Sequence, residues 1–259
     1  MDYSDNWEKF WDERSEKATS DYDFDHGCGS GGEIEKLSEQ ELLTFIDPQR
    51  DDAIFDAGCG TGANILLLSP GVKEIVGMDY SRGATERCQR RIESNQLENA
   101  KVLRGSVTHV PLPDRSFDKV LCMSLLQYMD DTEVTCALTE FKRILRDDGV
   151  IILHLKNLAS IYLATLWAVK RIKRLVRKQT KLEYYRSFSW YVKALRAFGF
   201  EIVDYNSFSL FMLDGMPKRF LLLLQKFELQ NYNNAFFRLG FLRRHGSELK
   251  IKARLKRRM

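Results

Sequence analysis

Apolar and polar positions fall into short blocks along the first 155 residues, and the period changes from block to block. Apolar runs bounded by Gly, Pro, Asn or Asp predict strands over 53–57, 74–79, 100–105, 117–123 and 149–155. Between them, apolar residues recur at helical spacing. This predicts helices over 62–69, 82–95 and 131–145, the last with Val134, Leu138, Phe141 and Leu145 on one side. Two helices, 7–14 and 33–45, come before the first strand, with a glycine-rich loop over 21–32 between them. Strands alternating with helices imply a parallel sheet with helices on both faces.

The last hundred residues are less regular. Helical spacing over 161–178 places Ile161, Ala164, Trp167, Ala168, Ile172, Leu175 and Val176 on one face. Lys170, Arg171, Lys173, Arg174, Arg177 and Lys178 take much of the other. A helix over 189–198 ends at Gly199, and one over 219–229 has Pro217 near its start. Residues 247–255 alternate with period two and predict a final strand.

The first strand runs into Asp56-Ala57-Gly58-Cys59-Gly60-Thr61-Gly62, with Leu66, Leu67 and Leu68 continuing as a helix. Glycine permits positive φ and lets a ligand approach bare backbone, and a helix start offers N–H groups. The loop reads as a cradle for a nucleotide-like cofactor. Gly58, Gly60 and Ala63 also satisfy the relaxed dinucleotide pattern, with Asp79 roughly 20 residues on. Asp56, two residues before the first glycine, argues against a pyrophosphate. It suits a cationic ligand, or a structural role bonding the loop's own N–H groups.

This loop resembles the first motif of the class I S-adenosylmethionine-dependent methyltransferases. The resemblance continues through Asp79, the segment from Leu103 through Pro111 to Asp118, and the block from Glu140 to Leu153, in family order over residues 50–156. It implies a seven-stranded, mostly parallel, doubly wound sheet, with 200–205 as the sixth strand and inserted C-terminal helices forming a cap. It divides the chain into a helical lid at 1–45, an S-adenosylmethionine-binding core at 46–156 and a basic part at 157–259. It also implies that Asp56, Gly58, Cys59, Gly60 and Gly62 cradle the cofactor, and that Asp79 holds its ribose hydroxyls. Ser106 and the Val107 N–H would meet the adenine, and Tyr80 counts among the cofactor-binding residues. Ser106 stands where many relatives place an acid, and a hydroxyl there gives up charge assistance.

Composition changes the picture at one point. The net charge is +4. Residues 1–155 hold 17 Lys and Arg against 30 Asp and Glu, whereas residues 156–259 hold 23 against 6. Such asymmetry concerns partners rather than fold. Three readings of the 161–178 face stand: a solvated cationic surface, contact with an anionic membrane or a lipid-linked acceptor, and phosphate contacts to nucleic acid. Neighbouring apolar runs at 208–213 and 220–224 suit a greasy acceptor better than a phosphate groove. The five cysteines form no C-x-x-C pair, which argues against a zinc site or disulfide framework. No metal is expected. With no apolar leader or spanning run, the expected location is cytoplasmic, or peripheral to a membrane.

Methyl transfer from a sulfonium needs an aligned acceptor atom and exclusion of water, with a base where the acceptor is protonated. In such a fold, acceptors lie at the carboxyl ends of the strands. His154 is the candidate base, against the alternative of a core histidine ending its strand. Gln127, Tyr128 and Lys156 are further candidates there, Tyr128 standing with His154 as catalytic, while the family resemblance more often has Tyr128 packing over the cofactor. Trp7, Phe10, Trp11 and Arg14 suit a lid, or a helix packed on the sheet. His26 and Cys28 fall in a loop, and His109 and His245 give no signal. The expected function is methyl transfer to O or N of a small-molecule, glycan or lipid-linked acceptor. RNA methylation and a catalytically silent S-adenosylmethionine-binding scaffold are the rivals.

Overall fold

The computed structural model describes residues 3–17, 33–160, 183–208, 223–224, 226–227, 230 and 242–256. The helix read over 161–178, most of that over 219–229, and the His26–Cys28 loop lie outside the described residues. Over the described residues the order is α1 (Tyr3–Lys17), α2 (Glu33–Ile46), β1 (Ala53–Ala57), α3 (Ala63–Leu68), β2 (Glu74–Asp79), α4 (Arg82–Ser94), β3 (Ala100–Arg104) and β4 (Phe117–Met123). Then come α5 (Asp131–Ile144), β5 (Leu145–Lys156), α6 (Phe188–Ala197), β6 (Phe200–Phe208), α7 (Leu242–His245) and β7 (Glu248–Leu255).

The strands form one seven-stranded sheet ordered β3-β2-β1-β4-β5-β7-β6. β1 to β5 pair in parallel, and β7 runs antiparallel between β5 and β6. Alternation along each strand feeds two cores. Phe55, Met78, Val120, Ile151 and Leu153 meet Leu138 and Phe141 of α5 and Tyr191 and Leu195 of α6 on one face. Ile54, Ile75, Leu121 and Ile152 meet Ile46 of α2, Ile65 and Leu68 of α3, and Cys88 and Ile92 of α4 on the other. All five β1 residues are buried, as expected of a central parallel strand.

Local chemistry sets the helix starts. Asp130 and Glu133 close a reciprocal cap on α5, each side chain accepting the other's backbone N–H at 2.8 and 2.7 Å. Ser81 Oγ caps α4 and Ser187 Oγ caps α6. α1 extends past the expected 7–14 at both ends, and three further boundaries differ for visible reasons. α3 stops at Leu68 and passes into a 3₁₀ turn at Ser69–Gly71, where Pro70 ends the α-helix. β5 starts at Leu145 rather than 149, because Phe117 already pairs with Leu145 across an irregularity that absorbs the Asp148-Gly149 turn. β6 continues to Phe208 because β7 gives it pairing partners throughout.

Two buried ion pairs tie α2 and its exit loop to the sheet: Lys250 with Glu41, and Lys119 with Asp52 at 2.5 Å. On the opposite face, Arg143 holds Glu140 through two nitrogens and donates to Val110 O at 2.7 Å and Leu112 O at 2.8 Å. The Glu140–Arg143 motif thus clamps the 107–114 segment onto α5. The sheet order reverses between β1 and β4, which opens a crevice at their carboxyl ends.

Candidate active site

The crevice has two walls. The first is the glycine loop after β1. Gly58, Gly60 and Gly62 have φ of 73°, 55° and 85°, the left-handed region where a side chain is strained. Packing also requires glycine at 62: a Cβ there would stand 2.6 Å from Cys88 Sγ. The loop's amides are turned inward. Gly58 and Cys59 N–H donate to Met78 O at 2.8 and 3.1 Å, and Gly62 N–H to Cys59 O at 2.9 Å. Gly60 N–H donates to Asp79 Oδ2 at 3.0 Å.

The charge beside that loop is negative. Asp56 is fully buried at the end of β1, with Asn64 Nδ2 3.4 Å from Oδ1. Asp79 at the end of β2 accepts from Gly60 and from Ser81 N–H, the latter at 3.0 Å. Burial pushes the Asp79 carboxyl up, against the backbone N–H groups that pull it down. A loop whose donors are spent internally and whose neighbours are two carboxylates is a poor pyrophosphate site. It suits a ligand with a cationic group and hydroxyl donors. The residues present therefore fit S-adenosylmethionine, a cationic cofactor that carries hydroxyl groups.

Tyr80 follows Asp79 directly. The third-strand exit lies beside it: Gly105 N–H donates to Asp79 O at 3.0 Å and Arg104 Nε to Tyr80 O at 3.4 Å. Ser106 is exposed there, its hydroxyl 2.8 Å from Thr108 Oγ1, while Val107 turns its side chain into the core. The structure thus brings the Gly60–Asp79–Tyr80 group together with the 105–107 exit, and engages the Ser106 hydroxyl locally.

The second wall lies beyond β4. α1 crosses toward it from α4. Asp12 Oδ1 accepts from Ser81 Oγ at 2.6 Å and Gly83 N–H at 3.2 Å, and Arg87 Nη2 donates to Ser15 O at 2.7 Å. Gly83 is what lets α1 come this close, since a Cβ there would stand 2.1 Å from Ser15 Oγ. At the far side, Trp7 and Trp11 set their rings edge-on to Tyr128 at 4.8 and 5.3 Å, with the Arg14 guanidinium 5.3 Å from the Trp11 ring centroid. α1 therefore spans from the β2 exit to the β4 exit. Burial pushes the Tyr128 phenol up, so it stays protonated near neutral pH and is a hydrogen-bond donor rather than a base.

His154 lies at the end of β5 among polar partners. Its Nδ1 is 3.1 Å from Ser124 Oγ, and its Nε2 is 2.9 Å from Glu248 Oε2. Glu248 also pairs with Lys156, its direct partner across the β5–β7 ladder. Burial pushes the Glu248 carboxyl up, but contact with His154 and the Lys156 charge outweigh it and hold the group down at about 2. Ser124, just past β4, has φ 56° and donates its N–H to His154 O at 2.8 Å. Gln127 is buried, and its Oε1 has no hydrogen-bond partner among the described residues, which leaves an acceptor near Tyr128 for a ligand's donor.

Arg186 holds this wall in place. Only 6% exposed, it donates to Leu126 O at 3.0 Å and Met129 O at 2.8 Å, pairs with Asp131 at 2.7 Å, and stacks 4.6 Å from the Trp190 centroid. Tyr184 N–H adds a 2.6 Å bond to Gln127 O. Ser124, Arg186 and Glu248 escape a reading of motifs. Glu248 looks like one polar position in an alternating strand, and Arg186 one arginine among many in a basic region.

Comparison with known proteins agrees with this architecture. Residues 54–149 match a family model described as a methyltransferase domain. An uncharacterized methyltransferase, YcgJ of Bacillus subtilis, is 31% identical over 88 residues, 34% of this chain and 34% of its own length. A demethylmenaquinone methyltransferase of Geobacillus is 27% identical over 79 residues, 30% of this chain and 33% of its own. The matched stretch thus spans about a third of these relatives. Among solved structures, YcgJ superposes with a TM-score of 0.59 at 20% identity, over 86% of this chain and 100% of that one. Haemonchus contortus phosphoethanolamine N-methyltransferase 1, in complex with phosphoethanolamine and S-adenosylhomocysteine, superposes with a TM-score of 0.68 at 19% identity, over 99% of this chain and 50% of that one. Through residues 54–149, which match a methyltransferase domain, and through the strand order of its sheet, the chain is similar to the class I, Rossmann-like S-adenosylmethionine-dependent methyltransferases.

Proposed function

We propose that this protein binds S-adenosylmethionine in the crevice at the carboxyl ends of β1, β2 and β3, and transfers its methyl group to an acceptor held under α1. Asp56, Gly58, Cys59, Gly60 and Gly62 form the cradle, Asp79 takes the ribose hydroxyls, and Tyr80, Ser106 and Val107 flank the adenine. One observation supports this most: the inward-turned glycine loop beside two carboxylates, Asp56 and Asp79, which disfavours a phosphate cofactor and favours a cationic one. The bound sulfonium supplies an electrophilic methyl group. The protein's residues orient the acceptor, exclude water and receive a proton. α1 serves as the lid, its Trp7 and Trp11 closing on Tyr128. His154 is the base, and Tyr128 a wall and hydrogen-bond donor of the acceptor site.

The acceptor is a small molecule, a glycan or a lipid-linked compound. Among the described residues no helix is long and apolar enough to cross a membrane. Membrane contact therefore rests on the basic 161–178 segment, and association with anionic vesicles that a charge-reversed segment loses is its test.

Calorimetric titration with S-adenosylmethionine tests the central reading. The wild type is expected to bind, and Asp79→Ala to weaken binding by ~1.5–3 kcal/mol, the value of a hydrogen-bonded charge, or about 10- to 150-fold. A wild type that takes up no cofactor overturns the proposal.

A further inference from the structure

Beyond the cofactor wall, three polar side chains meet at the ends of three strands. Ser124 follows β4, His154 ends β5 and Glu248 opens β7. Ser124 Oγ is 3.1 Å from His154 Nδ1, and His154 Nε2 is 2.9 Å from Glu248 Oε2. A carboxylate only accepts when ionised, and Glu248 is held ionised down to about pH 2. The Nε2–Glu248 contact lacks hydrogen-bond geometry, but a bare Nε2 lone pair 2.9 Å from a carboxylate is repelled, so the imidazole proton belongs on Nε2 and Nδ1 presents a lone pair to the Ser124 hydroxyl. Ser124 sits at φ 56°, a conformation that costs free energy in a non-glycine residue and is concentrated at functional positions.

We infer that Ser124, His154 and Glu248 form a proton relay for a hydroxyl acceptor, an inference that rests on the methyl-transfer reading above. The acceptor's oxygen forms its bond to the methyl carbon as the carbon–sulfur bond breaks and sulfur keeps that electron pair. The acceptor's proton passes to Ser124 Oγ, and the Ser124 proton to His154 Nδ1. The resulting imidazolium is stabilised by Glu248 and later gives its proton to water. Glu248 is a positioning residue: it sets the tautomer and touches no reacting atom. A hydroxyl acceptor fits because an alcohol or phenol is a weak nucleophile until its proton has a destination. The charged and titratable groups around the relay are Lys156 and Lys250 on the two paired strands, Glu41 of α2 bound to Lys250, and Tyr128 after β4. Among the described residues, Tyr185 before α6 also feels Glu248, and Glu183 and Arg14 of α1 act on Tyr128.

The test needs no acceptor at first. Long-range proton–nitrogen spectra of histidine-labelled protein saturated with S-adenosylhomocysteine, assigned with His154→Gln, are expected to show the His154 tautomer with its proton on Nε2 and Nδ1 bare. Glu248→Leu should move the proton population toward Nδ1, and Ser124→Ala should shift Nδ1 alone. A His154 protonated on Nδ1 in the wild type overturns the relay, as does a tautomer indifferent to Glu248. Because Glu248→Leu leaves Lys156 unpaired, Ser124→Ala is the independent check: an unchanged Nδ1 signal overturns the serine link. A screen of alcohols, phenols and amines with methyl-labelled cofactor then reads the chemistry. Label is expected on hydroxyl oxygen, with turnover falling roughly 100-fold or more in His154→Gln and its acid limb lost. Label on nitrogen overturns the hydroxyl assignment. Absence of cofactor binding overturns the methyl-transfer reading itself, and calorimetry separates the two failures.

Discussion

On one side of the crevice, Gly60 and Asp79 bond across 19 positions of sequence, and Asp79 reaches Ser81 across two. On the other, Ser124 meets His154 across 30 positions, Arg186 meets Leu126 across 60, and Lys156 meets Glu248 across 92. The cofactor wall is assembled within one strand–helix–strand unit, where a turn and two strand ends suffice. The second wall is assembled by strands and a connecting segment that are neighbours only once the sheet has closed. The short-range wall uses backbone strain and glycine; the long-range wall uses charge and buried hydrogen bonds. A change on either side should betray which kind of wall it weakens.

The largest effect should come from the long-range side. Arg186→Ala leaves the Leu126 and Met129 carbonyls without their buried donor and removes the stack on Trp190. It should cost about 4 kcal/mol of stability, read as a lowered denaturant midpoint. A loss no larger than a surface substitution would remove Arg186 from the account of that wall.

On the short-range side, Gly62→Ala adds a Cβ at φ 85° that also meets Cys88. Strain and overpacking together should cost about 3 kcal/mol. Measured on a Cys88→Ala background, the cost should fall by roughly half, since only the backbone part remains. Equal costs on both backgrounds would show that φ alone dictates the glycine.

Acid titration sharpens the contrast further. Glu248 drops from a free value of 4.5 to about 2 on folding, so the folded state binds fewer protons than the unfolded one between those values. Its contribution is complete above pH 4.5 and is lost as the pH falls toward 2. Unfolding free energies should show wild type losing about 2–3 kcal/mol relative to Glu248→Gln across that window. Parallel pH curves would contradict the pairing with His154 and Lys156.

The smallest effect concerns α1, which joins the two walls. Asp12→Ala removes the acceptor for Ser81 Oγ and Gly83 N–H. It should cost about 1 kcal/mol and show as faster amide exchange in residues 3–17, with altered fluorescence from Trp7 and Trp11. Unchanged exchange would mean that the aromatic contact with Tyr128 anchors α1 without help.

The legibility of the chain follows the same division. β1, β2 and β4 occupy the ranges their apolar runs predict, and Asp56, Gly58, Gly60, Gly62 and Asp79 stand at the strand ends and the turn where those runs stop. Each owes its place to neighbours a few residues away or at the next strand end. His154 could be named as a strand-end histidine, but not its partners. Ser124 resembles any small residue after a strand, and Glu248 any polar residue in an alternating one. Arg186 is one of 23 basic residues between 156 and 259. The distinction between a lid and a packed helix for α1 also lay outside the pattern, since Trp7, Phe10, Trp11 and Arg14 share a stripe in either case.

By itself the sequence determined the two periods, the caps and the turn glycines, and through them the doubly wound sheet and the place of its cofactor crevice. These depend on φ, on hydrogen bonds within a turn and on which face of a strand is apolar, all of which act over a few residues. Only the tertiary structure decided that β7 inserts between β5 and β6, bringing Glu248 beside His154 and Lys156. It alone decided that Arg186 closes on the carbonyls after β4. The reason is physical: burying a charge is favourable only where an opposite charge or several acceptors already wait, and those partners exist as a set only after the chain has packed.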